Sequence, residues 1–304
     1  MTIKGNNYYF YKSTKNGHYK GVMATGWQTI NGFKYYFNSN GTMATGFKSG
    51  FYFYKTTSGG HYKGTMAHNC WIMQGGRKFY MTSNGYVSTG WKKIGGKTYY
   101  FHKKAAGSFP LGAMATGWTS IGKYKYYFTS EGRQTLGLKK IGGHTYYFYK
   151  TTTGSHYAGT AATGWVKVDN VSYYFLPAAS GSAPAGSMAI GWTTVGKLKY
   201  FFDSKGKAVT GFATLGGSVY YFWPSTTKNH YRGTMATGWA SINDCKYYFG
   251  SNGKEQTGFR TIDGKSYYFW PSTTQDHYKG TMATGKQTIN GKTYTFGKDG
   301  VMKK

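Results

Sequence analysis

The sequence predicts an all-β protein, a β-solenoid of stacked β-hairpins built from alternating short repeats of about 20 residues and long repeats of about 27. Three observations carry that expectation. One pattern, a Gly-aromatic pair, a short polar-apolar run, a turn and then Tyr-Tyr-Phe, recurs from end to end of the 304 residues. Long copies begin near 1, 46, 90, 137, 164, 211 and 258, and short copies at 26, 70, 117, 191, 238 and 285. The composition, with 47 Gly, 32 Tyr and 20 Phe against 5 Pro, suits many short strands and tight turns.

Within one copy, Thr29-Ile30, then Asn31-Gly32, then Lys34 to Phe37 read as two strands around a tight turn, a β-hairpin. Successive side chains alternate between faces, so Tyr35 and Phe37 point one way and Tyr36 the other. Tyr294-Thr295-Phe296 keeps its flanking aromatics while the middle position turns polar, and Tyr200-Phe201-Phe202 and Phe79-Tyr80-Met81 keep large flanks. The flanks are therefore expected in the core. The middle residues, such as Tyr36, Tyr127, Tyr221 and Tyr248, are expected on an at least partly wet face, where they either shield the neighbouring hairpin or stack a ligand. Because an isolated two-stranded hairpin is marginal in water, the hairpins must stack on one another.

No composition shift interrupts the repeats, so residues 1–304 read as a single elongated domain, and because the sequence starts inside a repeat it reads as part of a larger surface or secreted protein. No apolar run approaches the roughly 18 residues that span a bilayer, and the first residues lack a signal-type apolar region. Cys70 and Cys245 fall at non-equivalent repeat positions and make neither a disulfide framework nor a metal pair.

The run of Gly-Trp, Ile-Asn/Asp-Gly-Lys, Tyr-Tyr-Phe, Ser-Asn-Gly and Met-Ala-Thr-Gly-Trp resembles the cell-wall-binding or choline-binding repeats. Such repeats occur in choline-binding surface proteins, phage lysins, the glucan-binding domains of glucosyltransferases and the receptor-binding repeats of clostridial toxins. The resemblance covers essentially the whole chain. It implies a hairpin solenoid with glycan or choline sites between successive hairpins. Choline-type repeats carry Trp immediately before Tyr-Tyr, where this sequence has Lys34, Thr98, Lys125, Thr145, Ser172, Lys199, Val219, Lys246 and Ser266. A quaternary ammonium needs several ring faces around it, so this departure leans toward the glycan-binding relatives.

Candidate ligand-binding residues cluster where a long copy meets the next. Met23 with Trp27, Met114 with Trp118, Met188 with Trp192 and Met235 with Trp239 follow long copies, as does Trp165. The long insertions add Tyr11 with His18-Tyr19, Tyr149 with His156-Tyr157, Trp223 with His230-Tyr231 and Trp270 with His277-Tyr278, and Tyr221 lies on the same stretch as Trp223. An aromatic platform beside His, Lys and Thr donors suits the apolar face and hydroxyl rim of a sugar. The plainer alternative is that these rings only pack the hairpins together. Residues 90–116 and 164–190 depart from the pattern, so their sites are expected to be altered or absent, and the junctions with Lys286 and with Asn69-Cys70-Trp71 are expected to bind less well. One His per insertion, without a second ligand nearby, argues against a metal, and no cofactor is expected.

With 38 Lys and Arg against 8 Asp and Glu, the formal net charge is +30, which attracts polyanions. The carboxylates are scattered, without the pair that acid-base hydrolysis needs, and no phosphate loop or nucleophile motif is present, so catalysis is not expected. The expected function is a multivalent binding module for a glycan or anionic cell-wall polymer, secreted or on a bacterial or phage surface. A choline-dependent anchor, a salt-sensitive polyanion binder and a plain spacer remain as alternatives. Nucleic acid is disfavoured because no recognised motif accompanies the aromatics and lysines.

Overall fold

A computed structural model describes residues 1–14 and 17–303. Among these residues every strand belongs to a two-stranded antiparallel sheet, and the sheets are consecutive hairpins that start where the sequence repeats start. Two compact units are distinguished, residues 1–139 with 148–161, and residues 140–147 with 162–304. The same construction fills both.

A typical hairpin pairs Gly26–Ile30 with Phe33–Phe37. Its turn residues Asn31 and Gly32 take φ values of 51° and 79°, the twist that matches a right-handed two-stranded ribbon and that Asn-Gly adopts most easily. The register sets Trp27 opposite Tyr36 and Thr29 opposite Lys34, so Trp27, Lys34 and Tyr36 share one face. Tyr35 and Phe37 occupy the other.

Most hairpins are stitched to their successors by the backbone. In the first unit Met66 N–H donates to the Lys34 carbonyl and Met114 N–H to that of Lys78, both at 2.8 Å. In the second, Met235 N–H bonds the Lys199 carbonyl and Met282 N–H that of Lys246, again at 2.8 Å. The acceptor is always the residue before the aromatic triplet, and the donor follows the triplet of the next hairpin. The Met side chain then lies against a glycine one connection further on. A β-carbon on Gly41 would overlap the Met23 sulfur, and Gly253 stands in the same relation to Met235.

The core is a succession of the third residues of the triplets. Phe53, Phe101, Phe128 and Phe148 in one unit and Phe175, Phe202, Phe222, Phe249 and Phe269 in the other are essentially inaccessible. Most of these Phe rings receive the middle ring of the preceding hairpin, as with Tyr100 on Phe128 and Tyr221 on Phe249, at centroid distances of 6.4 and 6.3 Å. Burying one such side chain contributes roughly 1.5–3 kcal/mol.

This contact corrects the expected assignment of faces. Middle residues of long copies are buried, with Tyr52, Tyr100, Tyr147, Tyr174, Tyr221 and Tyr268 at 7–8 % exposure, so Tyr221 is not on a wet face. In short copies Tyr36, Tyr127 and Tyr248 are half-buried. The physical reason is that the face carrying Trp and the middle Tyr meets the next hairpin. Hairpins stack face against opposite face, and solvent reaches the edges.

Candidate functional site

Stacking leaves the indole that follows the opening glycine at the rim of each contact. Trp27, Trp118, Trp165, Trp192 and Trp239 all remain 41–45 % exposed. Each packs forward on the next hairpin: Trp192 on Tyr220 and Phe222 at 5.0 and 5.8 Å, and Trp239 on Tyr267 and Phe269 at 4.9 and 5.8 Å. Trp27 meets Phe51 and Phe53, and Trp118 meets Phe148.

The long insertions fold back on themselves. Gly233 N–H donates to the Trp223 carbonyl at 2.7 Å, and Arg232 N–H donates to Thr226 Oγ1 at 2.9 Å. Within that loop the His lies flat on the inserted ring. Ring centroids are 4.2 Å apart for Tyr11 and His18, 3.5 Å for Tyr149 and His156, and 3.7 Å for both Trp223 with His230 and Trp270 with His277. Trp223 and Trp270 also set an edge against buried Tyr221 and Tyr268. One face of each inserted ring is thus occupied by the protein's own imidazole. In the divergent segment 90–116 the order is swapped, with His102 in the aromatic position stacked on Phe109 at 4.7 Å. Burial and then Arg77 hold that imidazole below its ordinary pKa.

The tyrosine after each His points outward and backward. Tyr231, Tyr157 and Tyr278 are 60, 52 and 66 % exposed. Tyr231 lines a groove of about 510 Å³ with Trp165, Ser172, Tyr200, Lys207 and Arg232. Tyr278 lines one of about 500 Å³ with Phe212, Val219, Tyr247, Glu255 and Lys279. Within the first unit, Tyr157 lies against Tyr124 at 5.2 Å and near Tyr126, which packs on Trp91 at 5.0 Å. Each groove therefore draws on three successive hairpins: an opening aromatic from the first, a triplet tyrosine from the second and an insertion tyrosine from the third. Tyr19, 73 % exposed, makes no comparable ring contact among the described residues.

The structure thus separates residues that the sequence expectation grouped. Tyr231 joins Trp165, many residues upstream, while Trp239 faces forward on Tyr267. The methionines Met23, Met114, Met188 and Met235 lie against Gly41, Gly132, Gly206 and Gly253, where they fill the joint between connections. Sequence reasoning passed over Tyr200, Tyr247, Phe212, Glu255, Arg232 and Lys279. The 47-residue offset from Trp165 to Phe212 carries Tyr200 to Tyr247, Ala208 to Glu255 and Arg232 to Lys279, so the two sets occupy equivalent positions.

The electrostatics keep the groove phenols protonated. Burial and then Tyr231 and Tyr174 raise Tyr200, while burial followed by Cys245, Glu255, Tyr278 and Tyr221 pushes Tyr247 to about 12. Burial also raises the Glu255 carboxyl, against an opposing pull from Lys279. Such grooves offer ring faces, hydroxyl donors and cationic rims. Among the described residues no His, Cys, Asp and Glu cluster able to hold a metal ion is present.

The family described as choline-binding repeat matches residues 24–71 and 236–275, and putative cell wall binding repeats match residues 89–104 and 163–177. CbpJ from Streptococcus pneumoniae is similar in fold, with 24 % identity over 100 % of this chain and 99 % of that one and a TM-score of 0.57. Choline binding protein F from Streptococcus pneumoniae has 25 % identity over 93 % and 98 % of the two chains, with a TM-score of 0.58. The same protein in the presence of a peptidoglycan analogue, a tetrasaccharide-pentapeptide, matches at 26 % identity over 93 % and 91 %, with a TM-score of 0.55. No curated protein sequence gives a match.

Proposed function

For a chain that carries choline-binding and cell wall binding repeats, we propose a multivalent cell-wall-binding module whose grooves between hairpins hold saccharide segments of a wall polymer. The recurring three-ring groove carries this reading. In the groove of Trp165, Tyr200 and Tyr231, a half-exposed indole offers an apolar platform, and Ser172, Lys207 and Arg232 supply donors for hydroxyl groups. No single groove needs high affinity, because several grooves on one scaffold raise the effective concentration at a repeating polymer. The role is binding rather than catalysis, at a cell surface or wall.

A second reading is favoured at one groove. Phe212, Tyr247 and Tyr278 surround a space that also contains Glu255, and rings with a carboxylate suit a choline-type cation. Isothermal titration of a soluble wall polysaccharide, with and without free choline, separates the two. Saccharide binding that choline does not displace, and that weakens by at least about tenfold in Trp165→Ala/Tyr231→Ala, supports the glycan reading. Displacement by choline would favour the cation reading. Binding that the substitutions leave unchanged would remove the groove from the ligand site.

A further inference from the structure

We infer that two faces in the first unit are sites for an anionic group carried on a sugar chain, a phosphodiester linking saccharide or polyol units. This inference rests on the wall-polymer reading and names the ligand chemistry within it. The first face brings together Trp27, Lys34, Tyr36 and Lys48, and the second repeats it 44 residues on with Trp71, Lys78, Tyr80 and Lys92.

The strand register places the pairs. Trp27 is opposite Tyr36 with Lys34 on the same face, and Trp71 is opposite Tyr80 with Lys78 on the same face. Indole and phenol meet edge-on at 5.4 and 5.1 Å, which leaves the indoles 45 and 39 % exposed. From the following hairpin, Lys48 Nζ approaches the Tyr36 ring at 5.7 Å, and Lys92 Nζ approaches the Tyr80 ring at 5.7 Å. One ammonium thus lies over each phenol, and a second lysine, Lys34 or Lys78, shares the face of the aromatic pair. Beside the first pair, Trp27, Lys34, Phe51, Ser83 and Asn84 line a groove of about 480 Å³.

Geometry and charge together select the ligand. The backbone of the residue before the triplet is fixed by its own carbonyl, since Lys34 and Lys78 accept the stitching bonds from Met66 and Met114, and the register sets each lysine on the face of its indole. A quaternary ammonium placed there would meet two like charges in place of additional ring faces. A phosphodiester presents two non-bridging oxygens, one for each ammonium, while the adjoining sugar covers the indole. Lysine binds phosphate as a point charge, whereas planar carboxylate recognition favours the arginine fork that these sites lack.

The test compares two variants of equal net charge. The site variant carries Lys34→Gln, Lys48→Gln, Lys78→Gln and Lys92→Gln; the control carries Lys104→Gln, Lys140→Gln, Lys197→Gln and Lys228→Gln, four exposed lysines outside these faces. Binding is measured at fixed ionic strength to a phosphodiester-linked saccharide polymer, its phosphate-free glycan and a uronic-acid polysaccharide, with circular dichroism to confirm folding. The expected result is a loss of at least about tenfold for the phosphodiester polymer in the site variant alone, with under about twofold change in the control. Equal losses in both variants would overturn the inference in favour of diffuse charge. A loss confined to the uronic-acid polysaccharide would also overturn it. If the unsubstituted protein binds polymer and glycan equally and the site variant is unchanged, this inference fails and the wall-polymer reading stands; if it binds none of the three, both fail.

Discussion

The groove of Trp165, Tyr200 and Tyr231 and that of Phe212, Tyr247 and Tyr278 are one construction written twice. At the position where other copies place the donor of the stitching bond, the first has Ala208 and the second Glu255, whose N–H bonds the Val219 carbonyl. Elsewhere in the array methionines such as Met66 and Met282 take that place. A carboxylate there lies against Gly280, which has room for it only because it lacks a β-carbon. The difference teaches that scaffold and groove charge are set by different residues: glycines, stitching bonds and buried Phe rings hold the shape, while lining side chains such as Glu255, against Ala208 in the other groove, alter the charge.

The severest way to break the comparison is to remove what both grooves share. The hairpin Gly211–Leu215 and Ser218–Phe222 supplies Phe212 to one groove and precedes the Tyr231 loop of the other. Phe222 is fully buried, so Phe222→Ala is expected to cost about 3–5 kcal/mol, read by chemical denaturation, and to weaken both grooves together. Exchanging the distinguishing residues should instead exchange preference. In Ala208→Glu/Glu255→Ala, affinity for a choline-type cation moves from the second groove to the first by about tenfold, measured by chemical-shift perturbation of Tyr278 and Tyr231.

Stability against pH sharpens the same contrast. Burial raises the Glu255 pKa above its value in the unfolded chain, so the folded state binds this proton more tightly. Its contribution is fully present below the ordinary carboxylate pKa and is lost as pH rises through the raised value. Glu255→Met should therefore stabilise the protein at neutral pH and flatten its pH dependence through the carboxylate range; a melting series from pH 4 to 8 reads this as a Tm gain that grows with pH. The smallest effect concerns the turns. Asp169-Asn170 in one groove and Asn243-Asp244 in the other hold two non-glycine residues at positive φ. Asp244→Gly relieves one of them and is expected to add about 0.5 kcal/mol without changing ligand preference.

Hairpin positions, repeat lengths and the buried Phe series were legible in the sequence because each depends on local spacing. The covered face was not. The copy Tyr294-Thr295-Phe296 suggested a wet middle position, yet it forms the last described hairpin, with Thr295 exposed, whereas Tyr221 and Tyr268 are covered by the hairpins that follow them. The groove membership was hidden for a related reason. Tyr231 stands near Trp239 in sequence, but the loop closed by Gly233 and Trp223 turns it toward Trp165 and Tyr200, and only the stacking direction says so.

Since every groove is finished by the hairpin two places further along, binding capacity does not count hairpins one for one. Trimming the array from its C-terminal side silences a groove whose own opening aromatic and triplet tyrosine are untouched, because the closing tyrosine leaves with the deleted repeat. Inserting one 47-residue pair does the reverse: it supplies one more opening aromatic, triplet tyrosine and closing tyrosine, and so one more groove. Under the proposed groove reading, valency is therefore a property of repeat number, adjustable by duplication without redesigning any single contact.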